Sequence, residues 1–280
     1  MAVLFRSDFD SNTVSPFGWT GVNLSGTNLV EVTSEHPFNG TYGLKCTLAI
    51  AAPAGSFAGV YQQFIGSPNR DHIFMRAMNV IVDQMPTTEG QRLAIHGAWA
   101  ERSATAIGLC GLAKIGGVLK WYSHYRHNGA FIAQNGGTPQ LNTPYCVEME
   151  IKQNSAPGVA DGAQRVYVNG VVTLEITGII NDDRVINYVA FGLNNSEGNA
   201  TSPVHMWGDA FVLADAYIGP AAGLQPNLTV KSDRIVDGVP TTVDQNVPVY
   251  IDGVLVGNTP LTVPLSTGTH TVSTEGEISR

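Results

Sequence analysis

The sequence predicts an all-β protein, a large β-sandwich followed by a small one, and three observations carry that prediction. Apolar and polar residues alternate with a period of two in many short runs, the period at which a strand shows one face to a core. Glycine occurs 31 times in 280 residues and charged residues make up only 14%, the composition of a turn-rich β protein. The texture then changes after Pro220–Pro226, PAAGLQP, which reads as a linker. The expected domains are residues 1–219 and 227–280, with 220–226 between them.

Taken in order, residues 2–9 read as a first strand, ending in Asp8-Phe9-Asp10. Residues 11–40 are rich in Ser, Asn, Thr and Gly and read as irregular, anchored by Trp19 and Phe38. Tyr42–Ile50 alternates, with Leu44, Cys46 and Leu48 on one side, and Ala51–Gly55 is a turn. Strands follow at Gly59–Phe64 and Ile73–Val82, then a loop at Pro86–Gly90. Leu93–Trp99, Ala106–Ala113 and Val118–Arg126 form a three-stranded run, with Gly116-Gly117 as a hairpin turn.

The signal is densest over 143–177, where Val147, Met149 and Ile151 alternate with Glu148, Glu150 and Lys152. Asn154–Gly162 is turn-rich, and Asn169-Gly170 then separates two β-rich runs. A type I′ turn needs positive φ at both central residues, which Asn-Gly supplies. Asn187–Leu193 and Met206–Ile218 complete the domain, giving about a dozen strands in residues 1–218. No helix longer than a turn is expected.

The stretch TPYCVEMEI…QRVYVNGVVTLEITG resembles the centre of the concanavalin A-like lectin/glucanase jelly rolls, the laminin-G-like group, over roughly residues 1–220. The resemblance implies a jelly-roll fold. Beyond the linker, V-x-I-D-G at Val249, G-N-T-P-L at Gly257 and L-x-x-G-x-H-x-V at Leu265 resemble the PEGA-type domain, a short immunoglobulin-like sandwich.

Composition excludes several function classes. A net charge of −8 leaves no basic stripe for nucleic acid. No apolar run approaches a membrane span, and MAVLFRSDFDSN lacks the basic and apolar regions of a secretory signal. Cys46, Cys110 and Cys146 are odd in number and have apolar neighbours, so buried free thiols made in a reducing compartment are expected.

Trp121, Tyr122, His124, Tyr125 and Arg126 are the densest candidate chemistry. On a strand Trp121 and Tyr125 share one face, while Tyr122, His124 and Arg126 share the other. Aromatic faces stack on sugar rings, and Arg or His bonds their hydroxyls. The resemblance implies a glycan on the concave sheet. The alternative leaves the Trp and Tyr in the core and the His and Arg on a solvated face.

LAIHGAW resembles the QIH strand of jelly-roll alginate lyases, which implies Arg76, His96, Tyr122 and Tyr125 as neutralising and acid–base groups. Glu148 and Glu150 resemble the paired acids of retaining glucanases, but Lys152 stands where the last acid belongs. Asp8 and Asp10, with Asp209 and Asp215, lie at the two ends of the large domain, and the fold resemblance implies a structural calcium ion there. The alternative is exposed strand-end charge.

The expectation is a non-enzymatic surface module, a virion capsid-decoration or tail protein with a glycan-binding face. Its partners would be a surface polysaccharide and other subunits of a particle. A polysaccharide lyase and a secreted carbohydrate-binding adhesin are the alternatives.

Overall fold

A computed structural model describes residues 2–10, 19–38, 40–64, 71–100, 106–181 and 185–220, and beyond them 227–230, 234–236, 239–241, 248–251, 254–259, 261–264 and 272–274. The chain divides into two compact units, Met1–Gly219 and Pro220–Arg280. Residues 221–226 of the expected linker lie outside the described residues. The described residues include no helix long and apolar enough to cross a membrane.

The larger unit is a jelly-roll β-sandwich whose described residues form fifteen strands: β1 Val3–Ser7, β2 Gly21–Leu24, β3 Leu29–Thr33, β4 Gly43–Leu48, β5 Ser56–Gln63, β6 His72–Val82, β7 Arg92–Trp99, β8 Ala106–Ile115, β9 Val118–His127, β10 Ala130–Gly136, β11 Tyr145–Lys152, β12 Gly162–Val168, β13 Val171–Ile179, β14 Tyr188–Ser196 and β15 Val204–Ala214. They form two antiparallel sheets. One runs β13-β12-β11-β6-β15-β4-β3, with β1 also paired to β15; the other runs β10-β9-β8-β7-β14-β5-β2.

Alternation is what separates the core from the outer faces. Val147, Met149 and Ile151 of β11 are fully buried between the sheets, with Met75, Ala77, Val189, Phe191 and Leu213 from their neighbours. The turns fall where left-handed backbone is available: Gly116-Gly117 has φ 61° and 77°, and Asn169-Gly170 has φ 52° and 82°. Asn169 Oδ1 also accepts the Cys146 N–H at 2.8 Å, tying the hairpin to the start of β11. The three cysteines are buried and unpaired, as their apolar neighbours suggested.

Three strands escape the sequence reading. β2 and β3 lie in the segment read as irregular, and β10 follows a second Asn-Gly turn, Asn128-Gly129, with φ 51° and 79°. That dipeptide carries the same hairpin signal as Asn169-Gly170 and was the available clue.

In the smaller unit the described strands are β16 Asn227–Val230, β17 Arg234–Val236, β18 Val239–Thr241, β19 Pro248–Ile251, β20 Val254–Asn258, β21 Leu261–Pro264 and β22 Val272–Thr274. β19 lies between β20 and β22, while β16 pairs β21 and β17 pairs β18. The Asp252-Gly253 turn, Gly268 and His270 lie outside the described residues.

Candidate functional site

The outer face of the seven-stranded sheet carries an aromatic layer. Tyr61, Trp99, Tyr122 and Tyr188 are buried there with Leu109 and several alanines. Tyr61 and Tyr188 stack at 4.9 Å, and Trp99 meets Tyr188 edge-on at 5.4 Å. Beside this layer opens a cleft of about 230 Å³ lined by Arg92, Tyr122, His124, Asn195, Ser196 and Glu197, with Leu109 at its floor. Strand order explains the grouping. Arg92 opens β7, Tyr122 and His124 lie two apart on β9, and Asn195 and Ser196 close β14 with Glu197 just after it, all within one run of the sheet.

Arg92 is the centre of the cleft. Its Nη1 lies 3.3 Å from His124 Nδ1, and its guanidinium stands 6.0 Å from the centre of the Tyr122 ring. Guanidinium only donates, so His124 Nδ1 accepts and the imidazole is neutral. Burial and then the Arg92 charge push the His124 pKa down to about 4, against a backbone hydrogen bond at Phe131. Glu197 accepts from Gln91 Nε2 at 2.7 Å. Among the described residues no carboxylate comes within ion-pair distance of Arg92. Tyr122 is 1% exposed, and its hydroxyl has no hydrogen-bond partner among the described residues.

The expected glycan residues divide between two faces. Tyr122 and His124 line the cleft, and Arg126 is buried further along β9. Trp121 does not belong with them. It is 4% exposed, packed between the sheets and edge-on to Tyr145 at 5.3 Å, so it cannot stack on a sugar. The odd-numbered face of β9 is turned to the opposite sheet, and Trp121 is a core residue. Tyr125 is half-buried and lies opposite Ile132 in the ladder.

The residues suggested for a lyase do not meet. His96 is fully buried, its Nε2 3.1 Å from the Val147 carbonyl oxygen and its ring beside Phe191 and Phe211; burial lowers its pKa to about 4. Arg76 belongs to the other sheet and donates to the Gly219 carbonyl at 2.9 Å. Glu148 and Glu150 also lie on that other sheet, away from the cleft. Glu148 accepts the Ile218 and Gly219 N–H groups at 2.9 Å, and Glu150 accepts from Arg165 and Tyr167 and lies 2.9 Å from His72 Nε2. The cleft residues that sequence reasoning missed, Arg92 and Glu197, carry no motif; only strand register brings them together.

Of the four aspartates, two accept backbone N–H groups from residues near one another in sequence. Asp209 is fully buried and accepts the Phe38 N–H at 2.9 Å, while Asp10 accepts the Thr41 N–H at 3.0 Å. Gly40, with φ 78°, lies so close to Asp10 that a Cβ would overlap the carboxylate. Asp215 instead accepts the Ala2 N–H at 2.6 Å, and Asp8 faces Arg6 at 4.0 Å. Among the described residues no group of three or more His, Cys, Asp or Glu is gathered for a metal.

Comparison with known proteins bears on the fold. Residues 241–278 match the PEGA domain. A search of curated proteins found no match. The structure is similar to an endo-β-1,4-glucuronan lyase from the fungus Trichoderma reesei, at TM-score 0.58 and 15% identity, covering 77% of this chain and 96% of that one. It is also similar to the cellulose-induced protein Cip1, at TM-score 0.51 and 14% identity, covering 78% and 100%. The receptor-binding domain of botulinum neurotoxin C/D mosaic serotype gives TM-score 0.50 at 11% identity, covering 78% of this chain and 48% of that one. The larger unit thus has the concanavalin-like jelly-roll fold, and a PEGA-like segment follows it.

Proposed function

We propose that the larger unit is a non-enzymatic binding module that seats an acidic sugar in the Arg92–Tyr122–His124 cleft. The observation that carries this reading is the half-buried Arg92 guanidinium, which has no acidic partner among the described residues. A cation withdrawn from water is costly unless an anion meets it. A carboxylate or sulfate on a sugar supplies that anion in bidentate form. The glucuronan lyase among the structural neighbours supports an acidic polysaccharide as the ligand class. The module reading is favoured over catalysis because the Nδ1 lone pair of His124 is already engaged by Arg92.

Titration with a polyuronate and with a neutral glucan tests this. Arg92→Ala is expected to weaken polyuronate binding about 10- to 100-fold, the worth of one charge-assisted hydrogen-bonded pair. Equal affinity for the neutral glucan, or no loss in the variant, overturns the reading. Release of unsaturated oligosaccharides during the titration would instead establish the lyase alternative.

The setting we propose is the surface of an assembled particle such as a virion, where a glycan-binding fold and three unpaired thiols are compatible. Co-purification with particles tests it. A calcium ion near Asp10 and Asp209 is proposed alongside it. Calcium is expected to raise the melting temperature and EDTA to reverse the shift; a melting curve indifferent to both removes the ion.

A further inference from the structure

The edges of the two sheets are guarded unequally. β13 carries Glu175 and its ladder with β12 slips register twice; β3 carries Glu31; β2 is only four residues long. These are the usual devices against edge-to-edge pairing. β10, AFIAQNG, has none of them. It is seven residues long, without charge or proline, and its ladder with β9 runs from Ala130↔His127 to Gly136↔Trp121 with no shift. Ala130 and residues 132–135 are exposed.

The direction of its free hydrogen-bonding groups follows from the turn. A two-residue Asn128-Gly129 turn makes its flanking residues, His127 and Ala130, a hydrogen-bonded pair. Bonding then alternates, so Ala130, Ile132 and Gln134 face β9, while Phe131, Ala133 and Asn135 direct N–H and C=O outward. The strand is also held at both ends. The Phe131 ring lies 3.6 Å from that of His124, and a Cβ on Gly136 would come within 2.7 Å of the Thr173 carbonyl oxygen on β13.

We propose that β10 is a dimerisation edge: two copies of the chain join β10 to β10, antiparallel, so that two seven-stranded sheets become one. A second copy is the occupant the strand fits. An antiparallel pair of identical strands is what a two-fold axis generates, each supplying what the other lacks. The chain carries net charge −8, which repels copies at most surfaces, yet the twenty residues from Asn128 to Val147 contain no Asp, Glu, Lys or Arg. The edge can therefore meet itself without repulsion, forming roughly six backbone hydrogen bonds. Strand spacing puts the two clefts on one continuous face roughly 25 Å apart, where a polymeric ligand engages both and gains avidity.

Sedimentation velocity of the full chain over a range of concentrations tests the proposal. The wild type is expected to dimerise reversibly. Ala133→Pro removes an outward N–H without costing a bond to β9, and Ala133→Lys places like charges at the junction. Each is expected to weaken self-association at least tenfold, with the far-ultraviolet spectrum of the lysine variant confirming the fold. A wild type that stays monomeric at the highest concentration overturns the proposal. So does a dimer that survives both substitutions, because it is held elsewhere.

Discussion

Trp121→Ala is expected to lower the stability of the larger unit by about 3–5 kcal/mol, the cost of removing a large aromatic side chain from a packed core. The indole is buried between the sheets against Tyr145, and Gly137 approaches its edge closely enough that a Cβ there would lie 3.3 Å from it. Binding measured on the folded fraction is expected to be unchanged, since no atom of Trp121 lines the cleft. Arg92→Ala should behave the other way, losing ligand while keeping its unfolding midpoint. Denaturant unfolding and native-state titration on the same two variants separate these outcomes. A Trp121→Ala protein that unfolds normally but loses its ligand would put the tryptophan back in the site.

The way Trp121 and Tyr122 part company shows where sequence reading stopped. Alternation along Val118–Arg126 places the two residues on opposite faces, but it does not say which face meets the second sheet. That depends on which strands flank β9. β10 was missed, so the sheet had no visible edge there and β9 no fixed orientation. The opposite case is β11. Val147, Met149 and Ile151 stand against charged residues, so the buried face was legible from the residues alone. Glu148 and Glu150 then misled in a different way. Carboxylates on the other face of a strand read as solvated or catalytic, yet both are buried under partners from distant strands and the chain exit. Arg92 was beyond reach for the same reason. Its partner His124 is 32 residues away, and only the β7-β8-β9 register brings them together.

Glu148 gives the last expected result, a stability difference that grows with pH. Burial raises its pKa to about 7, and Glu150 adds to the effect. The Ile218 and Gly219 N–H groups and the Arg76 charge oppose it without prevailing. The unfolded chain releases the same proton near 4.5, so the folded form holds it to higher pH. Stability from this group is therefore full below pH 4.5 and is lost as pH rises through 7, on the order of 3 kcal/mol in all. Glu150 slopes oppositely. Burial alone would raise its pKa, but hydrogen bonds from His72, Tyr167 and Arg165 hold it at about 2, so its contribution fails in acid, between about pH 4.5 and 2. His96 and His124, both lowered to about 4, also favour the fold as pH rises between 4 and 6.5. Among these groups the two histidines outweigh Glu148 between pH 4.5 and 6.5, so only a difference from the wild type exposes Glu148. Glu148→Gln resembles the protonated acid at every pH. It should gain on the wild type by on the order of 3 kcal/mol between pH 4.5 and pH 8, while Glu150→Gln should lose its disadvantage as pH falls toward 2. Parallel unfolding curves for wild type and Glu148→Gln over that range would mean that the carboxylate is ionised in the fold throughout, and that Arg76 and the two backbone donors outweigh its burial.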